Sequence, residues 1–348
     1  MRDYFIRRLL LIPLTLFGIT IIVFLITRAV PGGPLERALM EAQQVSAMNG
    51  GGGGSSSSGQ DQALSEEQIQ QLKEFYGFDK PILVSYFDWL GKTITGNLGT
   101  SYRYQEPVAD MLKRALPISI YYGIITLIIT YGICIPLGVV KAIKHRTFID
   151  NSTSILIFAG YAVPGYVLGS ILILLFSVKR DWLPMSGFVD MEYYHLLPWG
   201  VFTDWDAFKD VVMHSIMPLL CYLIGSFAIT TLLMKNNLMD NLAADYMRTA
   251  VAKGVPFKKA VIKHALRNSL IPIATTFGQN IVLIVSGSFL IEFLFDVNGF
   301  GLLGITSIFD RDYPVVMGII FLSSLLLLVG NIISDFLVAM IDPRIRFN

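Results

Sequence analysis

The chain is 348 residues long, with 53% hydrophobic residues against 15% charged ones, a formal net charge of +1 and a mean hydropathy of +0.59. That balance is far more apolar than the usual soluble mix, and it excludes a nucleic-acid partner held by overall positive charge. It points to an all-α, polytopic membrane protein whose cations act through where they cluster.

Arg2, Arg7 and Arg8 precede an apolar run over 9–27, about long enough to cross a bilayer core at 1.5 Å per residue. The run is longer than a signal-peptide core and ends in Arg28-Ala29-Val30-Pro31-Gly32-Gly33-Pro34 with no A-x-A-like cleavage site. A retained first span with its amino end inside is therefore expected over 1–30. Residues 31–115 form a polar extracytoplasmic excursion. Its tract over 50–59 is wholly glycine and serine, a flexible composition that a natural loop and an inserted linker share. Ser65-Glu66-Glu67-Gln68 then reads as a cap and acidic first turn, with Ile69, Leu72, Phe75 and Tyr76 as the apolar face of a small surface helix that Gly77 ends. Tyr86, Phe87 and Trp89 suit a membrane interface.

Residues 116–348 carry five further apolar runs. They lie over 116–140, followed by Lys141, Lys144, His145 and Arg146; over 152–178; over 214–234, followed by Lys235; over 270–291; and over 314–338. Pro136 and Pro164 each remove a backbone donor in or beside a run, so a kink or local unwinding is expected at both, serving either packing or a moving hinge. Between the third and fourth runs, 179–213 is polar and aromatic. The cationic turns assign the cytoplasmic side, giving six spans with both ends inside.

The loop over 236–270 is the most basic part of the chain: from Lys235 to Arg267, seven Lys/Arg face two Asp. Ala243, Tyr246, Met247, Ala250 and Val251 recur with the period of an amphipathic helix. Gly254 is placed to close that helix in the left-handed conformation, and Pro256 suits the first turn of the next. In the second helix Lys259, Lys263 and Arg267 form one stripe beside Lys258, opposite Phe257, Ala260, Val261 and Ala265. On residues alone, a solvated loop held near anionic lipid headgroups accounts for these cations as well as a docking element does.

The spans themselves hold almost no ionisable residue apart from Asp335. Neutral polar groups do occur: Thr275, Thr276, Gln279, Asn280, Ser286 and Ser288 in or at the end of the fifth span, and Asn331 in the sixth. They line a hydrated pathway or make ordinary interhelical hydrogen bonds; the fifth span is the expected pathway element. An ion-coupled carrier needs titratable partners near mid-membrane, which disfavours a stand-alone secondary transporter or channel, as does the lack of recognisable inverted repeats.

Several of these strings carry a resemblance. Tyr246-Met247-Arg248-Thr249-Ala250-Val251-Ala252-Lys253-Gly254, with His264-Ala265-Leu266-Arg267-Asn268 and Leu270-Ile271-Pro272, resembles the cytoplasmic EAA loop of ATP-binding-cassette (ABC) importer permeases, in the dipeptide and oligopeptide branch. Arg248, Thr249 and Ala250 occupy the E-A-A places. Further strings resemble the same family in order: Arg28 through Pro34; Tyr76-Gly77-Phe78-Asp79-Lys80-Pro81 with Gly96 through Ser101; Trp182-Leu183-Pro184 with Ser186-Gly187; and Gly287, Glu292, Phe295, Gly299, Gly301 and Leu303 with Arg311-Asp312-Tyr313-Pro314. Phe78 through Pro81, Pro136-Leu137-Gly138-Val139 with Lys141-Ala142, Gly225-Ser226-Phe227-Ala228 with Lys235-Asn236, and the ending Asp342-Pro343-Arg344-Ile345 are similar to the microcin-C-type peptide importers within it.

The resemblance implies a type I ABC importer permease fold in the bacterial cytoplasmic (inner) membrane. It implies an ATPase-coupling loop made of Asp245, Tyr246, Arg248, Thr249, Ala250, Lys253, Gly254, His264, Arg267 and Asn268. It implies a second homologous permease, ABC ATPase subunits and an extracytoplasmic peptide-binding protein as partners, besides membrane lipid. Independently, no G-x-x-x-x-G-K-[ST] occurs, so no cofactor is expected in this chain, and ATP and its magnesium would belong to a partner. Glu292, Asp296, Arg311 and Asp312 lack any nucleophile–base arrangement and read as loop salt bridges and caps, so no catalytic residue is expected. Cys134 and Cys221 lie in apolar runs as packing residues, and His145, His195, His214 and His264 show no ligand spacing, so no metal is expected.

Overall fold

A computed structural model describes residues 2–29, 79–285 and 287–341. Among these residues no strand forms; a helix satisfies its own backbone donors and acceptors, which is what an apolar chain in lipid requires. In chain order the helices are α1 (Arg2–Ala29), α2 (Ile82–Ile94), α3 (Val108–Ile143), α4 (Phe148–Ala162), α5 (Gly165–Leu172, continued by a π-helical stretch Ile173–Val178), α6 (Trp205–Ala243), α7 (Asp245–Ala252), α8 (Phe257–Ala260, continued by a π-helical turn Val261–Ala265), α9 (Leu266–Val285), α10 (Phe289–Leu294), α11 (Phe300–Phe309) and α12 (Tyr313–Ile341). The Gly/Ser tract, the surface helix begun at Ser65, the string from Val30 to Pro34, Ser286 and the ending from Asp342 lie outside the described residues.

Among the described residues, four helices are long and apolar enough to cross a membrane: Arg8–Arg28 within α1, α3, α6 and α12. The pair Phe148–Ala162 and Gly165–Val178, bent by 91°, makes a fifth if it is one span. Length and composition alone therefore give four or five crossings where six are expected, and α9 is not among them. The third run breaks where expected: Val163 turns extended (φ −92°, ψ 119°) before Pro164, as the residue preceding a proline tends to. Pro136, by contrast, stays inside an unbroken 36-residue α3, about 54 Å long. α3 and α6 begin at Val108 and Trp205, well before the apolar runs over 116–140 and 214–234.

The chain forms two compact units. In the unit of Pro13–Leu112 and Gly304–Leu322, Tyr86 of α2 is buried edge-on to Phe17 and Phe24 of α1, with centroids 5.7 and 5.5 Å away, and its hydroxyl meets Thr20 Oγ1 at 2.9 Å. The aromatics read as interfacial thus divide, with Tyr86 inside and Phe87 exposed. Asp312 is buried and accepts from Ser101 Oγ and from the backbone N–H groups of Tyr102 (3.0 Å) and Arg103 (3.3 Å), which ties the loop after α2 to the start of α12.

In the unit of Met1–Ile12, Lys113–Leu303 and Ser323–Asn348, small residues let helices approach closely. A Cβ at Gly138 of α3 would lie 2.9 Å from Thr231 O of α6, and one at Gly165 of α5 would lie 2.9 Å from Cys221 O of α6. Gly278 of α9 presses on the backbone at Gly330 of α12. The segment over 179–213 is less superficial than its polarity suggests: Phe188, Val189 and Val201 are buried with Tyr122, Val211, Met217 and Phe295.

Candidate functional site

The basic loop is built from three short helical pieces. α6 stops because Ala244 leaves helical conformation (φ −68°, ψ 149°), and α7 restarts at Asp245. Lys253 N–H bonds Thr249 O at 3.0 Å, Gly254 N–H bonds Val251 O at 2.9 Å and Val255 N–H bonds Ala250 O at 3.2 Å, so the last carbonyls of α7 are satisfied by a tight turn. Gly254 holds φ +83° with open space where a Cβ would be. Pro256 stands one residue outside α8, as its cap rather than in its first turn.

The inner side of the loop is apolar. Met247 of α7 and Ala260, Val261 and Ala265 of α8 and its π turn are buried in one cluster with Met234 and Leu238 of α6, Ala142 of α3 and Ile273 of α9. The expected apolar face of the first helix is therefore corrected. Met247 is buried and Ala250 partly so, while Tyr246 and Val251 point outward and Ala243 belongs to α6. On the outer side Tyr246, Val251, Phe257 and Ile262 are 39% to 58% exposed, beside exposed Arg248, Lys253, Lys258, Lys259 and Lys263.

The other residues proposed for this loop divide. Asp245 and Arg248 form an exposed pair at 3.6 Å, an arrangement that contributes little, and Thr249 Oγ1 donates to Asp245 O at 2.9 Å. His264 is half-buried in the π turn and Asn268 is exposed. Arg267 does not extend the lysine stripe: its Nε donates to Ile341 O at the end of α12, where a cation satisfies a terminal carbonyl.

Next to the loop lies a cluster that sequence reasoning missed. Asp150 of α4 is buried and takes Lys141 of α3 at 3.0 Å, Lys235 of α6 at 2.8 Å to each oxygen, the Arg146 N–H at 3.1 Å and His145 Nδ1 at 3.3 Å. Lys141, fully buried, also donates to Asp150 O, Thr153 Oγ1 and Ser154 Oγ, each at 2.8 Å. Lys141 and Lys235 had read as ordinary charged ends of apolar runs. The cluster instead fastens α3, α4 and α6 together.

Glu292, read as a loop salt bridge, is buried in α10 and meets no cation among the described residues. It accepts from Ser119 Oγ at 3.1 Å, Tyr222 OH at 3.4 Å and the Leu302 N–H at 2.6 Å. Burial pushes its carboxyl above the ordinary carboxylate range, against the opposing pull of those donors. Of the pathway candidates, Thr275 and Thr276 bond carbonyls of their own helix, at Ile271 (3.0 Å) and Ile273 (2.9 Å). Asn280 reaches Tyr131 OH on α3 at 2.7 Å, an interhelical bond. The Gln279 side chain and Ser286 fall outside the described residues.

The family described as binding-protein-dependent transport system inner membrane component matches residues 134–347. Full-length similarity extends to the peptidoglycan transport system permease protein YejB of Agrobacterium fabrum, 38% identical over 100% of this chain and 99% of that one. The oligopeptide transport system permease protein AppB of Bacillus subtilis is 34% identical over 100% of both chains, and the dipeptide transport system permease protein DppB of Lactococcus lactis is 31% identical over 99% of this chain and 100% of its own.

Proposed function

This chain belongs to the family of binding-protein-dependent transport system inner membrane components, and from that premise we propose that it is the membrane-spanning permease subunit of an ABC importer that carries peptides. The names of its full-length relatives, which include oligopeptide and dipeptide permeases, support the substrate class. It is a multi-pass membrane protein of a system that depends on a separate binding protein.

The finer reading has six crossings, the bent α4–α5 pair and α9 each counting as one, with both termini cytoplasmic. A second homologous permease completes the pathway, an extracytoplasmic peptide-binding protein delivers cargo, and ABC ATPase domains hydrolyse ATP. This chain itself performs no chemistry. The observation that carries the coupling role is the two-sided loop. Its inner side is seated on α3, α6 and α9 through Met247, Ala260, Val261 and Ala265, while its outer side presents Tyr246, Val251, Phe257 and Ile262 among cations. Such a mixture of apolar anchors and peripheral charge suits a protein groove. ATP-driven closure of the ATPase domains would move α7 and α8 as a lever and switch the spans between outward and inward access. The microcin-C-type subfamily rests on resemblance of sequence strings.

Purification from its own cells in mild detergent, followed by mass identification of bound subunits, tests this reading. A homologous permease and an ABC ATPase are expected to remain bound. Recovery of the intact chain with neither would argue for a stand-alone carrier.

A further inference from the structure

The segment over 179–213 and the start of α6 hold a side-chain group that transport does not explain. His214 of α6 has a side chain only 2% exposed, and its Nδ1 lies 2.9 Å from the carbonyl oxygen of Asp210, one turn earlier. A carbonyl only accepts, so Nδ1 carries the proton and donates. The other ring nitrogen, Nε2, faces Oδ1 of Asp190 at 3.6 Å, too far for a hydrogen bond. The Asp210 carboxylate stands beside them: its Oδ2 accepts the Asp190 N–H at 2.7 Å and lies 3.4 Å from Nδ1. One donor atom from each of Asp190, Asp210 and His214 lies within 4.8 Å of the other two.

A nitrogen lone pair facing a carboxylate oxygen at this distance leaves room for a bridging proton, a water or a metal ion. A shared proton would draw the pair to about 2.8 Å. A tetrahedral metal with bonds of 2.0–2.2 Å instead holds its ligand atoms about 3.4 Å apart, which suits the observed 3.6 Å. We propose that His214 Nε2, with the carboxylates of Asp190 and Asp210, binds a divalent transition-metal ion of the zinc class. The Nδ1–H bond to a backbone carbonyl is the support that fixes a ligating histidine's tautomer and ring orientation. The Asp190 N–H likewise holds the Asp210 carboxylate through Oδ2, within 4.8 Å of the donor atoms of the other two residues. Two carboxylates balance the charge, an imidazole favours zinc over magnesium or calcium, and the exposed Asp190 provides the way in. Water completes the coordination. The ion would clip the segment to α6 beside buried Phe188 and Val189. Asp210 and His214 share one face of α6 four residues apart, and the fold brings Asp190 to them from the preceding segment.

The test uses the purified full-length chain in detergent, free of any histidine tag, stripped with a chelator and titrated with zinc, with bound metal measured by elemental analysis. One zinc per chain is expected, with binding weakened ~10-fold or more by Asp190→Asn and by His214→Gln, unchanged by His195→Gln, and not displaced by excess magnesium or calcium. Because Asp190 is exposed, the metal-free Asp190→Asn protein should melt with the metal-free wild type, so its loss of zinc reports ligation rather than misfolding. Absence of stoichiometric zinc in the wild type, or equal zinc binding by wild type, Asp190→Asn and His214→Gln, overturns the proposal.

Discussion

Gly254 shows how one residue can be tested apart from its surroundings. A side chain there meets open space, so any penalty comes from φ +83° alone. Asparagine tolerates that region and a β-branched residue does not, which ranks Gly254→Asn near wild type and sets Gly254→Val at about 1–3 kcal/mol of strain in the turn. Gly254→Val is expected to insert at normal levels and to lower ATP-driven uptake, measured in vesicles. Normal uptake by Gly254→Val alongside failure of Lys259→Ala/Lys263→Ala would favour a simple basic patch. Asp150 is the second case. Its removal leaves fully buried Lys141 without its counter-charge, a change that costs about 3–5 kcal/mol. A clearly lowered melting temperature in detergent is expected for Asp150→Ala; a melting curve matching the wild type would contradict the cluster's structural role. Gly254 was legible because a turn between two helical patterns calls for glycine. Asp150 was not, because its partner Lys235 is 85 residues away and looked like an ordinary end of an apolar run.

At the scale of elements, the crossing of α9 and α12 is set by Gly278 against Gly330, with Ser334 Oγ donating to Ala274 O and, at 2.9 Å, to Thr275 O. Gly278→Val is expected to force these helices apart and to cost about 1–3 kcal/mol, read as a lower melting temperature at unchanged insertion. An unchanged melting temperature would mean the two helices are not tightly packed there. Long apolar runs made most of these helices legible, since each must satisfy its backbone within itself. Boundaries were less so: α3 and α6 continue through polar residues that a hydropathy reading assigns to loops. The two prolines also behaved differently, because Val163 turned extended before Pro164 whereas α3 remains helical through Pro136. The π-helical turn at Val261–Ala265 had no signature in the residues; it turns Ala260, Val261 and Ala265 inward and leaves Phe257 on the surface.

For the whole molecule, sidedness is the first claim to check. Met185→Cys, exposed on the segment placed outside, should react with an impermeant thiol reagent in intact cells, and Ala252→Cys on α7 only after permeabilisation. Native Cys134 and Cys221 are buried and should stay silent. The reverse pattern would invert the topology. Transport itself is tested most directly in proteoliposomes holding this chain with its co-purified permease and ATPase subunits, supplied with the binding protein and a labelled oligopeptide. Peptide uptake is predicted to require ATP inside the hydrolysing compartment and the binding protein on the opposite side, and to persist when ion gradients are collapsed. Uptake by this chain alone, driven by a proton or sodium gradient and indifferent to ATP, would contradict the account.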